Sequence, residues 1–243
     1  MNSRALAAAL AALACAACSS APFAEPLPAG TGGVSVEATV RPKAALQAFA
    51  PDLVRGGGGG PAFEKIDYRR FADMAAWLEG DALPASGGPA PAAASLAALE
   101  DGFDRLLVLA APKGATAISL VNRRRAPVTL FAVGPTGDGF DERIEPGATA
   151  VVTLAEPGRY EVAAQEDDRL RAEIVVAPTS WAAPARSGDP VAFAPLPPGE
   201  YRLTVAAARL PSHEGRVTVR AGERVTVRAA LGVDRLPPGR KEE

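Results

Sequence analysis

From residue 34 the chain alternates. Val34, Val36, Ala38 and Val40 are apolar, and Ser35, Glu37, Thr39 and Arg41 between them are polar. A period of two places every second side chain on one face, so this stretch predicts a β-strand with one buried side. Short apolar runs recur as far as residue 231. They mark candidate strands at 106–111, 116–121, 128–133, 148–154, 159–164 and 172–176, then at 191–194, 201–207, 216–220 and 224–231. Gly- and Pro-rich turns separate them. Pro157-Gly158 and Pro198-Gly199 each lead into a strand with an early tyrosine, Tyr160 and Tyr201, which reads as one turn chemistry used twice. Ala221-Gly222-Glu223 reads as a tight hairpin between the last two runs. Many short strands at this spacing predict an all-β protein.

Some stretches break the pattern. In 68–79, Phe71, Met74, Ala75 and Leu78 fall at helical spacing, which competes with a strand. Ser95 is placed to cap a short helical turn running through Glu100. Residues 44–55 fit no template, 80–95 read as a Pro/Gly/Ala linker, and 180–189 read as a crossover. The five glycines at 56–60 precede Pro61-Ala62-Phe63 and not the Lys-Ser/Thr of a phosphate loop, so they read as a flexible surface loop.

Composition narrows the classes. Of the residues, 48% are hydrophobic, which excludes a disordered polymer, and a net charge of −2 without a basic stripe speaks against nucleic acid. Aromatic residues make up 5%, thin for a stacking surface. The two cysteines, Cys15 and Cys18, both sit near the start, and His213 is the one histidine. Thiolate nucleophiles, internal disulfides and most transition-metal designs therefore have no residues to work with beyond residue 18. Residues 1–20 read as an export signal: Arg4, then an apolar run from Ala5 to Ala14 too short to span a bilayer. The end of the run, ALACAACSS, resembles the lipobox of bacterial lipoproteins, with Cys15 and Cys18 as competing lipidation sites. Plain cleavage between residues 17 and 24 is the alternative. Residues 21–32 read as a tether, and 233–243 as a loose tail.

Two segments carry a family resemblance. Residues 196–231, with Pro197-Pro198-Gly199-Glu200-Tyr201 and the later Ala221-Gly222-Glu223, are similar to the carboxypeptidase regulatory-like β-domain. Trp77-Leu78-Glu79, Asn122, Phe131, Phe140-Asp141, Pro157-Gly158 and Pro178-Thr179 with Trp181 occur in the order found in methylamine-utilisation/plastocyanin-like envelope proteins. The resemblance implies an N-terminal β segment at 33–95, a cupredoxin-like β-sandwich at 96–180, and a carboxypeptidase regulatory-like (prealbumin/starch-binding-like) β segment at 185–232. It leaves open whether the last pairs with residues 33–80, and it makes 68–79 a strand.

The same resemblance implies a blue-copper site, and here the chain departs from the family. The positions of its ligands fall on Val128, Ala164, Asp167 and Leu170. A type-1 site needs two imidazoles and a thiolate with a weak axial ligand, so no copper and no other cofactor is expected. What remains at that end is charge: Arg123, Arg124 and Arg125 facing Glu166 and Asp167, with Trp181 nearby, as a candidate interaction surface. The acidic groups Asp138, Asp141, Glu142 and Glu166-Asp167-Asp168 read as solvated loop carboxylates, since their spacing fits no EF-hand. His213 in Ser212-His213-Glu214 reads as a turn residue and not as part of a triad.

The expectation is a non-enzymatic structural or interaction module, lipid-anchored on the periplasmic side of the outer membrane. Its partner would be an envelope protein or polysaccharide. A carbohydrate-binding module, using Trp181, Trp77 and Tyr201, is the alternative. An electron-transfer or metal-binding protein is a third reading.

Overall fold

A computed structural model describes residues 26–41, 71–85, 87–89, 93–110 and 116–232. The leader with Cys15 and Cys18, the glycine run, residues 42–70 and the tail from 233 lie outside the described residues.

The chain is all-β and builds two sandwiches, with no helix among the described residues. In the first, β1 (Gly32–Val40) lies between β13 (Pro190–Leu196), antiparallel, and β16 (Arg224–Leu231), parallel. The alternation of β1 does what its period dictates. Val34, Val36 and Ala38 are fully buried, and they register against Val225, Val227 and Ala229 of β16. The facing sheet has the order β12 (Ala182–Ala185), β2 (Met74–Glu79), β14 (Gly199–Ala207) and β15 (His213–Val219). The N-terminal strands thus pair with the C-terminal ones, and the chain between them forms the second sandwich.

That second unit has a four-stranded sheet ordered β4 (Gly102–Phe103), β3 (Ala94–Leu99), β6 (Thr116–Asn122) and β9 (Thr149–Leu154). It packs on a five-stranded sheet ordered β5 (Leu107–Ala110), β11 (Arg171–Val176), β10 (Gly158–Ala164), β7 (Val128–Val133) and β8 (Gly139–Ile144). Each sandwich has its own core, centred on Phe193, Tyr201 and Leu203 in the first and on Leu120, Leu130 and Tyr160 in the second. A third, smaller cluster joins them: Leu107, Leu109 and Val175 on the outer face of one sheet meet Ala75, Ala182 and Ala208 on the outer face of another.

That joint explains where helical spacing misleads. Strand β2 has the first core on one face and the joint on the other, so its side chains are buried or half-buried on both sides. A strand covered on both faces loses its alternation, and propensity is a weak prior against burial. Residues 71–73 precede it as irregular chain. The helical turn expected over 95–100 is corrected for the same reason. Residues 95–99 lie in β3, which runs parallel to β6 and carries Leu96, Ala97 and Ala98 all buried, and Glu100 lies in the turn after it. Two further corrections concern connections. The crossover at 180–189 contains β12, and the acidic stretch after Asp138 contains β8. Ala221-Gly222-Glu223 makes a tight turn, closed by Glu223 N–H to Arg220 O at 3.1 Å with Gly222 at φ +75°, but the strands it joins lie in different sheets. The start of β1 captures the turn, through Gly222 N–H to Thr31 O and Gly33 N–H to Glu223 O, and draws β16 alongside itself.

Candidate functional site

One end of the second sandwich is organised by Asn122, the last residue of β6. Its side chain is fully buried, where an amide needs partners for both its halves. The Nδ2 group donates to the carbonyls of Ala126 and Ile144, each at 2.9 Å, and Oδ1 accepts the Arg124 N–H at 2.9 Å. The loop 123–127 is therefore folded around an asparagine and fixed to the end of β8. Two backbone donors tie the loop to β3 and the turn after it: Arg123 N–H to Ala98 O, and Arg125 N–H to the Glu100 carboxylate at 2.9 Å.

The facing loop, 165–170, follows β10. Gln165 N–H bonds to Thr129 O, and Glu166 accepts both Thr129 N–H at 2.8 Å and Thr129 Oγ1–H at 2.7 Å. Burial alone pushes the Glu166 carboxyl up, but the two Thr129 donors outweigh it and hold the group below its ordinary value.

Asp167 joins the loops. Its Oδ2 lies 3.0 Å from Arg124 Nη1 and 2.9 Å from Arg169 Nη2, and Oδ1 accepts from Arg169 Nε at 2.9 Å. The Arg169 hydrogen bonds, followed by those from the Arg169 backbone and from Arg124, hold its carboxyl well below the usual carboxylate range. Asp167 and Arg124 are mostly shielded, with side-chain exposures of 9% and 15%, whereas Arg169 is exposed at 66%. Arg123, Arg125 and Asp168 are exposed beside them.

The structure thus brings Arg124 and Asp167 into contact, with Glu166 pinned on the same loop and Arg123 and Arg125 presented outward. Trp181 does not join them, and this corrects the expected surface. It is 2% exposed in the core of the other sandwich, with its Nε1–H on Pro84 O at 3.0 Å. Its indole body is apolar and the one polar atom is satisfied there, so burial costs little. Tyr201 is likewise buried, and Trp77 is half-buried with its Nε1–H on Glu79. These three aromatic residues form no exposed platform. Glu100, Thr129 and Arg169 complete the arrangement and were not singled out in the sequence. The Asp167-x-Arg169 spacing was a local signal for one of them, and nothing local pointed to the other two.

The donor set at this end does not fit copper. Val128, Ala164 and Leu170 are 1%, 7% and 0% exposed members of the core and carry no ligand atom, and the Asp167 oxygens are shared by two guanidinium groups. The acidic residues of 138–142 do not converge either. Asp138 accepts from Thr136 Oγ1 at 2.8 Å and lies 2.8 Å from the Tyr160 hydroxyl, while Asp141 and Glu142 belong to β8 and register with Phe131 and Leu130. His213 opens β15, opposite Val205.

A second polar constellation flanks the joint. Arg159 of β10 donates to Ala207 O at 2.9 Å and Leu210 O at 3.2 Å, while Glu173 of β11 accepts Arg209 N–H at 2.8 Å and lies 3.4 Å from Arg159. On the other side a cleft of about 420 Å³ is lined by Asp73, Arg105, Leu107 and Arg186 among others. Burial raises the Asp73 carboxyl above its ordinary value against the backbone donors of Leu106 and Leu107. Arg159 and Glu173 thus bond across from the second sandwich to the first.

No protein-family model matches the chain, and no curated protein matches it. Among solved structures it is similar to an oxidised lysine-for-methionine mutant of amicyanin, at 14% identity and a TM-score of 0.31 over 35% of this chain and 81% of that one. A reduced copper(I) glycine-for-proline mutant of amicyanin, at 13% identity, gives the same score and coverage. A likeness of this strength carries no functional argument.

Proposed function

We propose that the protein is a non-enzymatic interaction module of the cell envelope, and that its working surface is the loop end formed by 123–127 and 165–170. The observation that carries this reading is the Arg124–Asp167 contact at 3.0 Å, locked from below by Asn122. The contact sets two loops in one shape with Arg123 and Arg125 exposed beside it, and a surface whose loops are ordered before binding loses little entropy on binding. The sequence resemblance supports a cupredoxin-like ancestry for this sandwich, with the copper ligands replaced by Val128, Ala164, Asp167 and Leu170. The leader supports export and a lipid anchor at Cys15 or Cys18, which would place the domains on the periplasmic side of the outer membrane. A polysaccharide partner is the weaker reading, since the aromatic residues that would stack on sugars are occupied in the core or paired.

The test is capture from the native envelope by the full chain and by an Arg123→Glu/Arg125→Glu chain. Both guanidinium groups are exposed, so the variant keeps the fold. The proposal expects the partner to be lost with the thermal midpoint unchanged. Identical capture by both chains would refute it.

A further inference from the structure

An edge strand presents unpaired N–H and C=O groups, and proteins usually guard such edges with charge, proline, short length or cover. The described sheets leave eight strand edges, read from their orders. Strand β8 carries Asp141, Glu142 and Arg143; β13 carries Pro190 and Pro195; β12 carries Pro184. Glu214 and Arg216 lie on β15, and Arg224 and Arg228 on β16. Strand β4 is two residues long, and every residue of β5 is buried. Strand β9, TAVVTL, has none of these devices, and Val151 at its centre is 64% exposed.

The direction of its backbone groups follows from one hydrogen bond. Asn122 N–H donates to Ala148 O, so Ala148 faces β6, and by alternation so do Ala150, Val152 and Leu154. Thr149, Val151 and Thr153 therefore turn their N–H and C=O groups to the open edge. Their side chains are exposed on the outer face of the sheet, next to Ala117, Ser119 and Val121, a patch without charge.

We propose that β9 is the pairing edge for a second copy of this chain, antiparallel about a two-fold axis at Val151. The sequence around that axis is self-complementary. Val151 meets Val151 of the other copy, Thr149 meets Thr153, and Ala150 meets Val152. The three open residues then form hydrogen-bonded pairs, Thr–Thr and Val–Val neighbours are favourable on a sheet, and no like charges are brought together within the strand. The two four-stranded sheets become one. A contact of one short strand is small beside the roughly 1,200–2,000 Å² of a stable interface, so the dimer is weak and depends on concentration.

Sedimentation velocity of the full chain in mild detergent, across a wide concentration range, reads this out. The expected result is a monomer–dimer equilibrium, weakened about tenfold or more by Val151→Lys with no change in thermal midpoint, because the side chain points to solvent. In the proposed pair the Cα atoms at 151 lie about 5.5 Å apart, within disulfide reach. A Val151→Cys chain should therefore form a cross-linked dimer on mild oxidation faster than the unsubstituted chain or a Thr136→Cys chain. A monomer at every concentration, a dimer indifferent to Val151→Lys, or cross-linking no faster than in the controls would overturn the proposal.

Discussion

Asn122 is the buried polar residue that folds the loop 123–127. Replacing it with alanine removes the three hydrogen bonds that fold this loop and fix it to the end of β8. At about 1 kcal/mol for each bond, Asn122→Ala should cost about 2–4 kcal/mol in chemical denaturation and loosen the loop 123–127 in hydrogen exchange. The carboxylates set the acid response. Asp138, Glu166 and Asp167 all have folded values below their ordinary ones, so each contributes stability that is complete above the unfolded carboxylate range of about pH 4 and is lost as pH falls through the folded value. Asp73, raised by burial, acts with the opposite sign. Acid titration of the thermal midpoint should therefore show a decline below about pH 4 that is shallower in an Asp167→Asn chain. The repeated turns offer a third check. The hydroxyl of Tyr201 donates to Pro197 O at 2.6 Å, and that of Tyr160 lies 2.9 Å from Glu156 O, in each case the carbonyl four residues back. Burial, reinforced by Asp138, pushes the Tyr160 hydroxyl up to about 12. Tyr160→Phe and Tyr201→Phe should each cost about 1 kcal/mol in denaturant unfolding.

At the scale of elements, alternation was the reliable signal where one face of a strand meets solvent, as in β7 and β16, and it failed where both faces are covered. Strand β2 shows why. Leu78 faces the first core and Trp77 packs against the joint, so the sequence offered helical spacing with no polar face to correct it. Leu78→Ala should cost about 2–5 kcal/mol, whereas Val151→Ala on the exposed face of β9 should change stability little. The candidate site was legible in part for the same kind of reason. Arg123 to Arg125 and Glu166 to Asp168 are short runs, and the resemblance set them at one end of the domain. The partners that hold them, Glu100 in the turn after β3 and Thr129 on β7, are distant in sequence, and no local pattern encodes a contact across 25 or 37 residues. Trp181 was placed at the wrong end because an isolated tryptophan carries no record of which side of a turn it faces.

The whole molecule is two sandwiches, one inserted in the other, joined by a small apolar cluster and a polar clamp. The clamp should determine whether they melt together. Arg159 reaches two carbonyls of the other sandwich and Glu173 reaches one N–H. Arg159→Met should leave both cores intact but separate one calorimetric transition into two, and a single unchanged transition would show that the apolar cluster suffices. A fixed joint also fixes the direction in which the loop end points relative to the N-terminal strand. That loop end is where a partner should dock. A photo-crosslinking residue placed at position 125 in the full chain, in the intact envelope, tests it most directly, with position 216 on β15 as control. A discrete adduct with another envelope component is expected from position 125 and none from position 216. Adducts from position 216 with none from position 125 would contradict it.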